Sequence, residues 1–275
     1  MPSIIETARW AAAQRVRESE RVDHLFSDPL ASALAGEEGM VALDLSQKYN
    51  PRHEETANYI SIRIRFFDDV AKRFSAEGGR QIVVLAAGMD ARAYRLAWPD
   101  GTNLYELDHP ELFAIEEEIL RREGVPPKCR RVTLGTDLRD DWARLLTNAV
   151  FDPSERSLWL IEGLFYYLDE PAVNHVLTEV SKLAAPGSML ITDLVSRSFL
   201  TSPWMQPALK AMEERGMAWR FGTDDPAGLF GAHGWQAEVK QPAEEGTKYD
   251  PERFPAIGSG HGESFSGFFV VARRK

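Results

Sequence analysis

Gly88 and Asp108 have the residue types and the spacing that bind the sugar of a nucleoside. Gly88 lies in a small-residue turn just after the apolar run that begins at Gln81, and Asp108 follows twenty residues later. When a strand, a turn and a helix lead into a second strand, an acid at this offset accepts hydrogen bonds from ribose hydroxyls. A surface acid at a strand end is the alternative for Asp108 alone, but the pair favours ribose binding.

The same turn has the wrong composition for a dinucleotide. A dinucleotide fingerprint needs three spaced glycines, whereas the window here offers Ala86, Gly88 and Ala91. Asp90 adds a carboxylate that would repel a pyrophosphate but would suit a ligand with positive charge. S-adenosyl-L-methionine combines a nucleoside, a sulfonium and an amino-acid tail without phosphate, so it fits this inventory better than a nicotinamide cofactor. Taken alone, the turn is equally compatible with any α/β protein.

A parallel sheet must position these residues, and the hydrophobic pattern predicts one. Strands and helices alternate along the middle of the chain, which is typical of a doubly wound α/β fold. The predicted strands lie near 81–86, 103–107, 130–134, 157–162 and 188–194, and the predicted helices lie near 90–96, 110–123, 139–148 and 170–184. Three helical segments precede them, at about 3–21, after Pro29, and at about 54–74.

Seven separated motifs, in order, resemble the leucine carboxyl methyltransferase superfamily, and within it the bacterial O-methyltransferases of the polyketide type. The resemblance covers most of the chain. The motifs are Thr7-Ala8-Arg9-Trp10, Phe26-Ser27-Asp28-Pro29, Ile62-Arg63-Ile64-Arg65-Phe66-Phe67-Asp68, Leu85-Ala86-Ala87-Gly88-Met89-Asp90-Ala91-Arg92-Ala93-Tyr94-Arg95, Glu106-Leu107-Asp108-His109-Pro110, Thr136-Asp137-Leu138 and Glu162-Gly163-Leu164-Phe165-Tyr166-Tyr167-Leu168.

The resemblance implies S-adenosyl-L-methionine as cofactor and a role for each matching residue. Arg63 would hold the methionine carboxylate, Glu162 would face the methionine ammonium, and Asp108 would bind the ribose. A structural ion pair with an arginine is the alternative for Glu162, because buried acids are usually paired. The remaining expected contacts are Ala86 and Gly88 under the methionine part, and Asp137 and Leu138 beside the adenine. Ala86 departs from the family pattern, in which other members have glycine.

The resemblance also implies a Rossmann-like methyltransferase sheet of seven strands, completed by strands near 235–240 and 266–273, with an antiparallel last strand. We expect an N-terminal helical cap at 1–76 and a cofactor-binding core at 77–275. Residues 196–234 are rich in bulky apolar side chains, and we expect them to form a lid over the acceptor. A small satellite core is the alternative. These bulky residues are Phe199, Trp204, Met205, Met212, Met217, Trp219 and Phe221.

Composition limits the class of partner. The formal charge of −10 and a pI near 5.2, without a basic stripe, argue against nucleic acid as a partner. The single cysteine, Cys129, excludes an internal disulfide and a cysteine-rich metal site, and no metal is expected. The sequence has no apolar run of signal-peptide or membrane-spanning length, so we expect a soluble, cytoplasmic protein.

The expected reaction is the in-line (SN2) transfer of a methyl group to an oxygen of a small molecule, in secondary metabolism. A carboxylate acceptor is already ionised near neutral pH and needs no base, whereas a phenol or alcohol would benefit from one. None of the six histidines stands in a convincing catalytic constellation, which favours a carboxylate on a polyketide-like metabolite. Tyr166 and Tyr167 follow Glu162 closely enough to reach the reacting groups, although aromatic packing explains them equally well.

Three alternatives remain open from the sequence. The acceptor could be a phenol or alcohol, or it could be the C-terminal carboxylate of a peptide or protein. A different class of function is a non-catalytic protein that only binds a nucleoside ligand. The intact set of expected cofactor contacts argues against such a degenerate binder.

Overall fold

Seven strands form one mixed sheet in the computed structural model, which describes residues 4–49, 52–203, 205–214, 216–255 and 267–275. The strands are β1 Gln81–Leu85, β2 Asn103–Asp108, β3 Arg130–Gly135, β4 Ser157–Ile161, β5 Met189–Val195, β6 Trp235–Lys240 and β7 Gly267–Arg274. Their order is β3-β2-β1-β4-β5-β7-β6, and β7 runs antiparallel to both of its neighbours, β5 and β6. The predicted seven-stranded sheet with an antiparallel last strand is confirmed.

Eleven α-helices are described around this sheet. They are α1 Ile4–Ser19, α2 Ala31–Tyr49, α3 His53–Ala76, α4 Arg92–Arg95, α5 Pro110–Glu123, α6 Trp142–Asn148, α7 Glu170–Leu183, α8 Arg197–Thr201, α9 Gln206–Glu214, α10 Pro226–Ala232 and α11 Pro242–Tyr249. Two predicted helices are shorter than expected, since α4 begins at 92 rather than 90 and α6 begins at 142 rather than 139. The residues skipped include acids that accept hydrogen bonds from backbone N–H groups, Asp90 before α4 and Asp141 before α6.

The central strands are apolar on both faces because helices cover both sides. Ile82 and Val84 point to one face and pack with α1, α2, α3 and α5, whereas Val83 and Leu85 point to the other and pack with α6, α7 and α10. The N-terminal helices therefore share a hydrophobic core with the sheet.

Parallel strands end at one edge of the sheet, and the expected site residues collect there. Ala86 and Gly88 follow β1, Asp108 ends β2, and Glu162 follows β4. The register pairs Leu85 with Leu107 and with Ile161, so these three strand ends lie side by side. This edge is where open α/β sheets bind their ligands.

The segment 196–234 contains three short helices, α8 to α10, and lies between β5 and β6 in sequence. Phe199, Met205 and Trp219 pack together with Tyr166 in a small apolar cluster. Trp204, which we named as part of the lid, lies outside the described residues, as does residue 266 at the predicted start of β7. Among the described helices, none is long and apolar enough to cross a membrane.

Candidate functional site

A cavity of about 2570 Å³ opens at the carboxyl edge of the sheet. Every expected site residue lines this cavity, from Arg63 to Tyr167. These residues are Arg63, Ala86, Gly88, Asp108, Asp137, Leu138, Glu162, Tyr166 and Tyr167. A pocket for one small ligand commonly measures about 300–1,000 Å³, so this cavity has room for more than one molecule.

The turn after β1 is held by Asp108. One carboxylate oxygen of Asp108 accepts a hydrogen bond from the Gly88 backbone N–H at 2.7 Å, and the other accepts from the His109 N–H at 2.7 Å. Burial raises the pKa of Asp108, while these two N–H groups lower it. Asp108 therefore fixes the shape of the glycine turn, and it also lines the cavity.

Backbone conformation explains why small residues occupy this turn. Ala86 and Gly88 have φ angles of 54° and 59°, in the left-handed region. Glycine adopts this conformation freely, whereas alanine adopts it with a steric penalty. Val150 is the other non-glycine residue with positive φ among those described. The departure of Ala86 from the family pattern thus adds a methyl group and also strains the backbone.

Glu162 lies between two arginines. Its Oε1 is 3.0 Å from Arg63 Nε, and its Oε2 is 2.7 Å from Arg92 Nη2. Burial alone would raise the pKa of Glu162, but the charges of Arg92 and Arg63 outweigh it and lower the pKa to about 2. The ion pair expected as the alternative for Glu162 is present, and it keeps a charged carboxylate facing the cavity.

Arg63 has a further acidic partner that the sequence analysis missed. Its Nη1 lies 2.8 Å from Asp193 Oδ2, on β5, and Tyr59 donates its hydroxyl to the same oxygen at 3.1 Å. The other oxygen of Asp193 accepts from the Gly163 N–H at 2.7 Å. An acid inside an apolar strand, at its carboxyl end, was the available signal for Asp193. Arg63 is thereby fixed at the cavity wall.

Arg92 was also missed as a site residue, although it stands in the main motif. It pairs with Asp90, with Asp68 at 2.9 Å and with Glu162 at 2.7 Å, and it is almost fully buried. Asp90 receives both the Arg92 backbone N–H and its guanidinium. Asp90 is thus paired inside the protein, and it lines the cavity together with Glu162.

Asp137 and Leu138 lie in the loop after β3. Arg139 donates its backbone N–H to Asp137 at 2.9 Å and forms a side-chain ion pair with the same acid. That hydrogen-bonded arginine lowers the pKa of Asp137 to about 2. Leu138 is half-buried beside the sheet. The loop thus offers one charged acceptor and one apolar surface at the same wall of the cavity.

Aromatic side chains also line the cavity. The Tyr166 ring lies 4.9 Å from Tyr167 and 4.4 Å from Trp219, between ring centroids. Tyr166 Oη is 3.3 Å from Arg63 Nη1. Burial raises the pKa of both tyrosines, and the charge of Asp193 raises that of Tyr166 further. Both phenols are therefore protonated hydrogen-bond donors near neutral pH.

Comparisons with known proteins agree with this geometry. The model of the family "Leucine carboxyl methyltransferase" matches residues 8–181. A candidate S-adenosyl-L-methionine-dependent methyltransferase of Parafrankia sp. is 35% identical over 279 residues, covering 98% of this chain and 86% of the relative. Another, from Mycolicibacterium gilvum, is 38% identical over 265 residues, covering 86% of this chain and 85% of the relative.

A solved structure shows the same fold. The crystal structure of a candidate methyltransferase from Thermobifida fusca superposes with a TM-score of 0.62 at 18% identity, covering 98% of this chain and 94% of the other. The family match spans well over half of the chain, and the relatives are similar along nearly all of it. The chain therefore belongs to the leucine carboxyl methyltransferase family, and its cofactor is S-adenosyl-L-methionine.

Proposed function

We propose that this methyltransferase esterifies a carboxylate of a small organic acid, of the polyketide type, and that its expected site residues hold the cofactor. Glu162 takes the methionine ammonium and Arg63 the methionine carboxylate. Asp108 takes the ribose hydroxyls, while Asp137 and Leu138 border the adenine. When bound, the cofactor supplies an electrophilic methyl group carried by a sulfonium.

The charges of the site support this assignment. Four buried acids, Asp68, Asp90, Glu162 and Asp193, are joined to three arginines, Arg63, Arg92 and Arg95. This connected set has one more negative than positive charge. A ligand with an ammonium, a sulfonium and one carboxylate carries a net charge of plus one, which complements the excess. Because the set is buried, this complementarity acts in a low dielectric and is weakly screened.

The observation that carries the carboxylate proposal is that the acids around Arg63 already have hydrogen-bond partners. Asp193 already accepts hydrogen bonds at both oxygens, and Glu162 is paired at both oxygens. Tyr166 and Tyr167 are protonated donors. The described groups at this end of the cavity therefore include donors that can orient an anion, while the nearest acids are engaged as acceptors. An anionic acceptor needs donors and no base.

A hydroxyl acceptor is the second candidate, and one observation favours it. His175, on α7, also lines the cavity, and an imidazole is the usual base near neutral pH. In that case His175 would remove the proton from a phenol or alcohol. The segment 196–234 then serves either acceptor as a lid, with Trp219 and Phe199 excluding water from the aromatic end.

The product distinguishes the two acceptors. The purified protein is incubated with S-adenosyl-L-methionine labelled in the methyl group and with a panel of aromatic and polyketide-type acids that also carry phenols. A methyl ester releases labelled methanol in mild alkali, whereas a methyl ether retains its label. Release from the product supports the proposal, and retention overturns it in favour of hydroxyl methylation.

The rate profile against pH provides an independent check. With a carboxylate acceptor, the rate should be flat above the acceptor pKa, about 4–5. With a hydroxyl acceptor, the rate should rise through the pKa of the base. If the acceptor is a carboxylate, His175→Gln should leave the rate unchanged at every pH. If the rate of that variant no longer rises with pH, His175 is the base.

A further inference from the structure

We propose that the acceptor has a long apolar body, and that this body lies in an arm of the cavity between α1, α2 and the segment after α9. This inference rests on the proposed function, because it extends the acceptor side of the same cavity. We define the apolar arm by Ile4, Val41, Leu45, Met212 and Met217, all of which line the cavity.

One face of α2 is apolar and exposed to the cavity. Val41, Leu45 and Tyr49 recur at helical spacing along that face, and they are 50%, 49% and 66% exposed. The other side of α2 packs against α1 through Gly39, where an added Cβ would lie 2.5 Å from the Arg9 carbonyl oxygen. Helices usually leave polar residues in water, so a second apolar face directed at a ligand cavity indicates an apolar ligand.

The neighbouring elements complete the arm. α1 and α2 run antiparallel, since Arg15 pairs with Asp28 and Arg9 contacts the Ala35 carbonyl oxygen. This places Ile4 alongside the Leu45 end of α2. Thr7, one helical turn from Ile4, contacts the Met217 sulfur at 3.6 Å. The backbone N–H of Met217 bonds to the Met212 carbonyl, so the two methionines share one turn.

The arm continues to the reacting end. Trp219 follows Met217 by two residues and packs against the Tyr166 ring, whose hydroxyl lies 3.3 Å from Arg63. An acceptor can thus place its carboxylate near the hydroxyls of Tyr166 and Tyr167 while its body extends past Trp219 into the arm. Methionine side chains adapt their shape to the ligand, which suits a flexible or polycyclic body.

The same wall argues against a peptide as acceptor. Each residue of a peptide brings an N–H and a C=O that must find partners when buried. Ile4, Val41 and Leu45 offer only methyl and methylene groups. A hydrophobic acid carries its polar atoms at the reacting end alone, so its body matches the five apolar side chains of the arm, although polar residues such as Thr7 and Ser46 line the cavity beside them.

Straight-chain acids provide the test. Butanoate, octanoate and dodecanoate are titrated calorimetrically into the full-length protein, with and without S-adenosylhomocysteine. We expect the affinity to rise about threefold to fourfold per methylene, the gain for burying one CH₂ group. Leu45→Gln should weaken dodecanoate about tenfold and leave butanoate unchanged.

Met40→Gln is the matched control, because Met40 is a 37% exposed apolar residue of the same helix that does not line the cavity. It should bind every acid as the parent does. Affinity that does not depend on chain length, or equal losses in both variants, would overturn the apolar arm. Tighter binding of a peptide of matched length would overturn it in favour of a peptide acceptor. If S-adenosylhomocysteine does not bind, the proposed cofactor contacts are wrong. The titrations of the acids alone would still test the apolar arm in that case.

Discussion

Two buried clusters of acids and arginines differ in the number of arginines that form ion pairs with each acid. In the first, which we call the cofactor cluster because we propose that it binds the cofactor, Glu162 is bound by both Arg63 and Arg92. In the sheet-edge cluster, Glu106 on β2 and Glu116 on α5 share Arg131 on β3. Glu106 and Glu116 each keep one buried oxygen that has no hydrogen-bond partner in the described part of the chain. The first cluster lines the cavity and the second does not.

The two clusters shift the pKa of a buried acid in opposite directions. Burial raises the pKa of Glu106 to about 7, because its share of Arg131 does not compensate. Burial also raises the pKa of Glu116 well above its usual value, and the charge of Glu106 adds to the effect. Two arginines instead lower the pKa of Glu162 to about 2. The number of arginines, more than burial, decides whether a carboxylate can serve as a fixed negative charge.

Removing the arginine that joins the cofactor cluster should have the largest effect. Arg92→Met leaves Asp68, Asp90 and Glu162 with fewer counter-charges, and breaking a buried pair typically costs about 3–5 kcal/mol. We expect a loss of that order in the free energy of unfolding, measured by urea denaturation near neutral pH. Arg121→Met, which removes an exposed ion pair with Glu118, is the control and should cost under about 1 kcal/mol. Equal effects would mean that the buried network does not stabilise the fold.

The sheet-edge cluster should make stability depend on pH. The folded protein holds a proton on Glu106 up to about pH 7, whereas the ordinary value is 4.5, so it binds more protons than the unfolded chain in that window. The free energy of unfolding should therefore fall as the pH rises from about 5 to about 8, by on the order of 3 kcal/mol from this group.

Glu106→Gln should flatten this dependence, because an amide does not titrate. Urea denaturation at about pH 5 and about pH 8 measures it. Glu117→Gln changes a half-exposed acid that also pairs with Arg131. In this variant the free energy of unfolding should depend on pH almost as it does in the parent protein. A parent protein that is equally stable at both pH values would contradict the assigned proton. The opposite sign applies to Glu162, whose contribution is present above 4.5 and is lost toward pH 2.

Ligand binding should separate the clusters more sharply than stability does. Glu162→Gln keeps the shape of the side chain but removes the charge proposed to face the methionine ammonium. A hydrogen bond to a charged group contributes about 1.5–3 kcal/mol, so we expect about a 10- to 100-fold loss of S-adenosyl-L-methionine affinity by calorimetry. Glu106→Gln should bind the cofactor as the parent does. Unchanged affinity in Glu162→Gln would remove Glu162 from the cofactor site.

Local signals predicted most of the fold. The helix predicted at 110–123 matches α5 at both ends, because Pro110 begins it and Gly124, with φ 66°, ends it in the left-handed conformation. The strands were predicted within one residue at each end. The signal was strongest for β1, β4 and β5, because buried parallel strands are nearly continuous apolar runs. The family motifs then indicated which strand ends carry the site.

Long-range pairing was not visible in the sequence. Arg63 and Asp193 are 130 residues apart, and Arg63 and Glu162 are 99 apart. A spacing rule covers residues within one helix or one βαβ unit, whereas these contacts depend on how α3 lies across β4 and β5. Arg92 depends on the fold in the same way, because its contacts with Asp68 on α3 and with Glu162 after β4 join segments that are distant in sequence.

We expect the smallest effect from a change at Ala86, in the turn after β1. Its φ of 54° costs alanine roughly 1 kcal/mol that glycine does not incur. Ala86→Gly should therefore raise the free energy of unfolding by up to about 1 kcal/mol and leave cofactor affinity unchanged. Ala87→Gly is the matched control, because Ala87 has no positive φ, and there the added freedom of the unfolded chain should cost about 0.5–1 kcal/mol. If both variants lost stability equally, the left-handed strain at Ala86 would be relieved in solution, and its methyl group would instead be a packing contact of the turn.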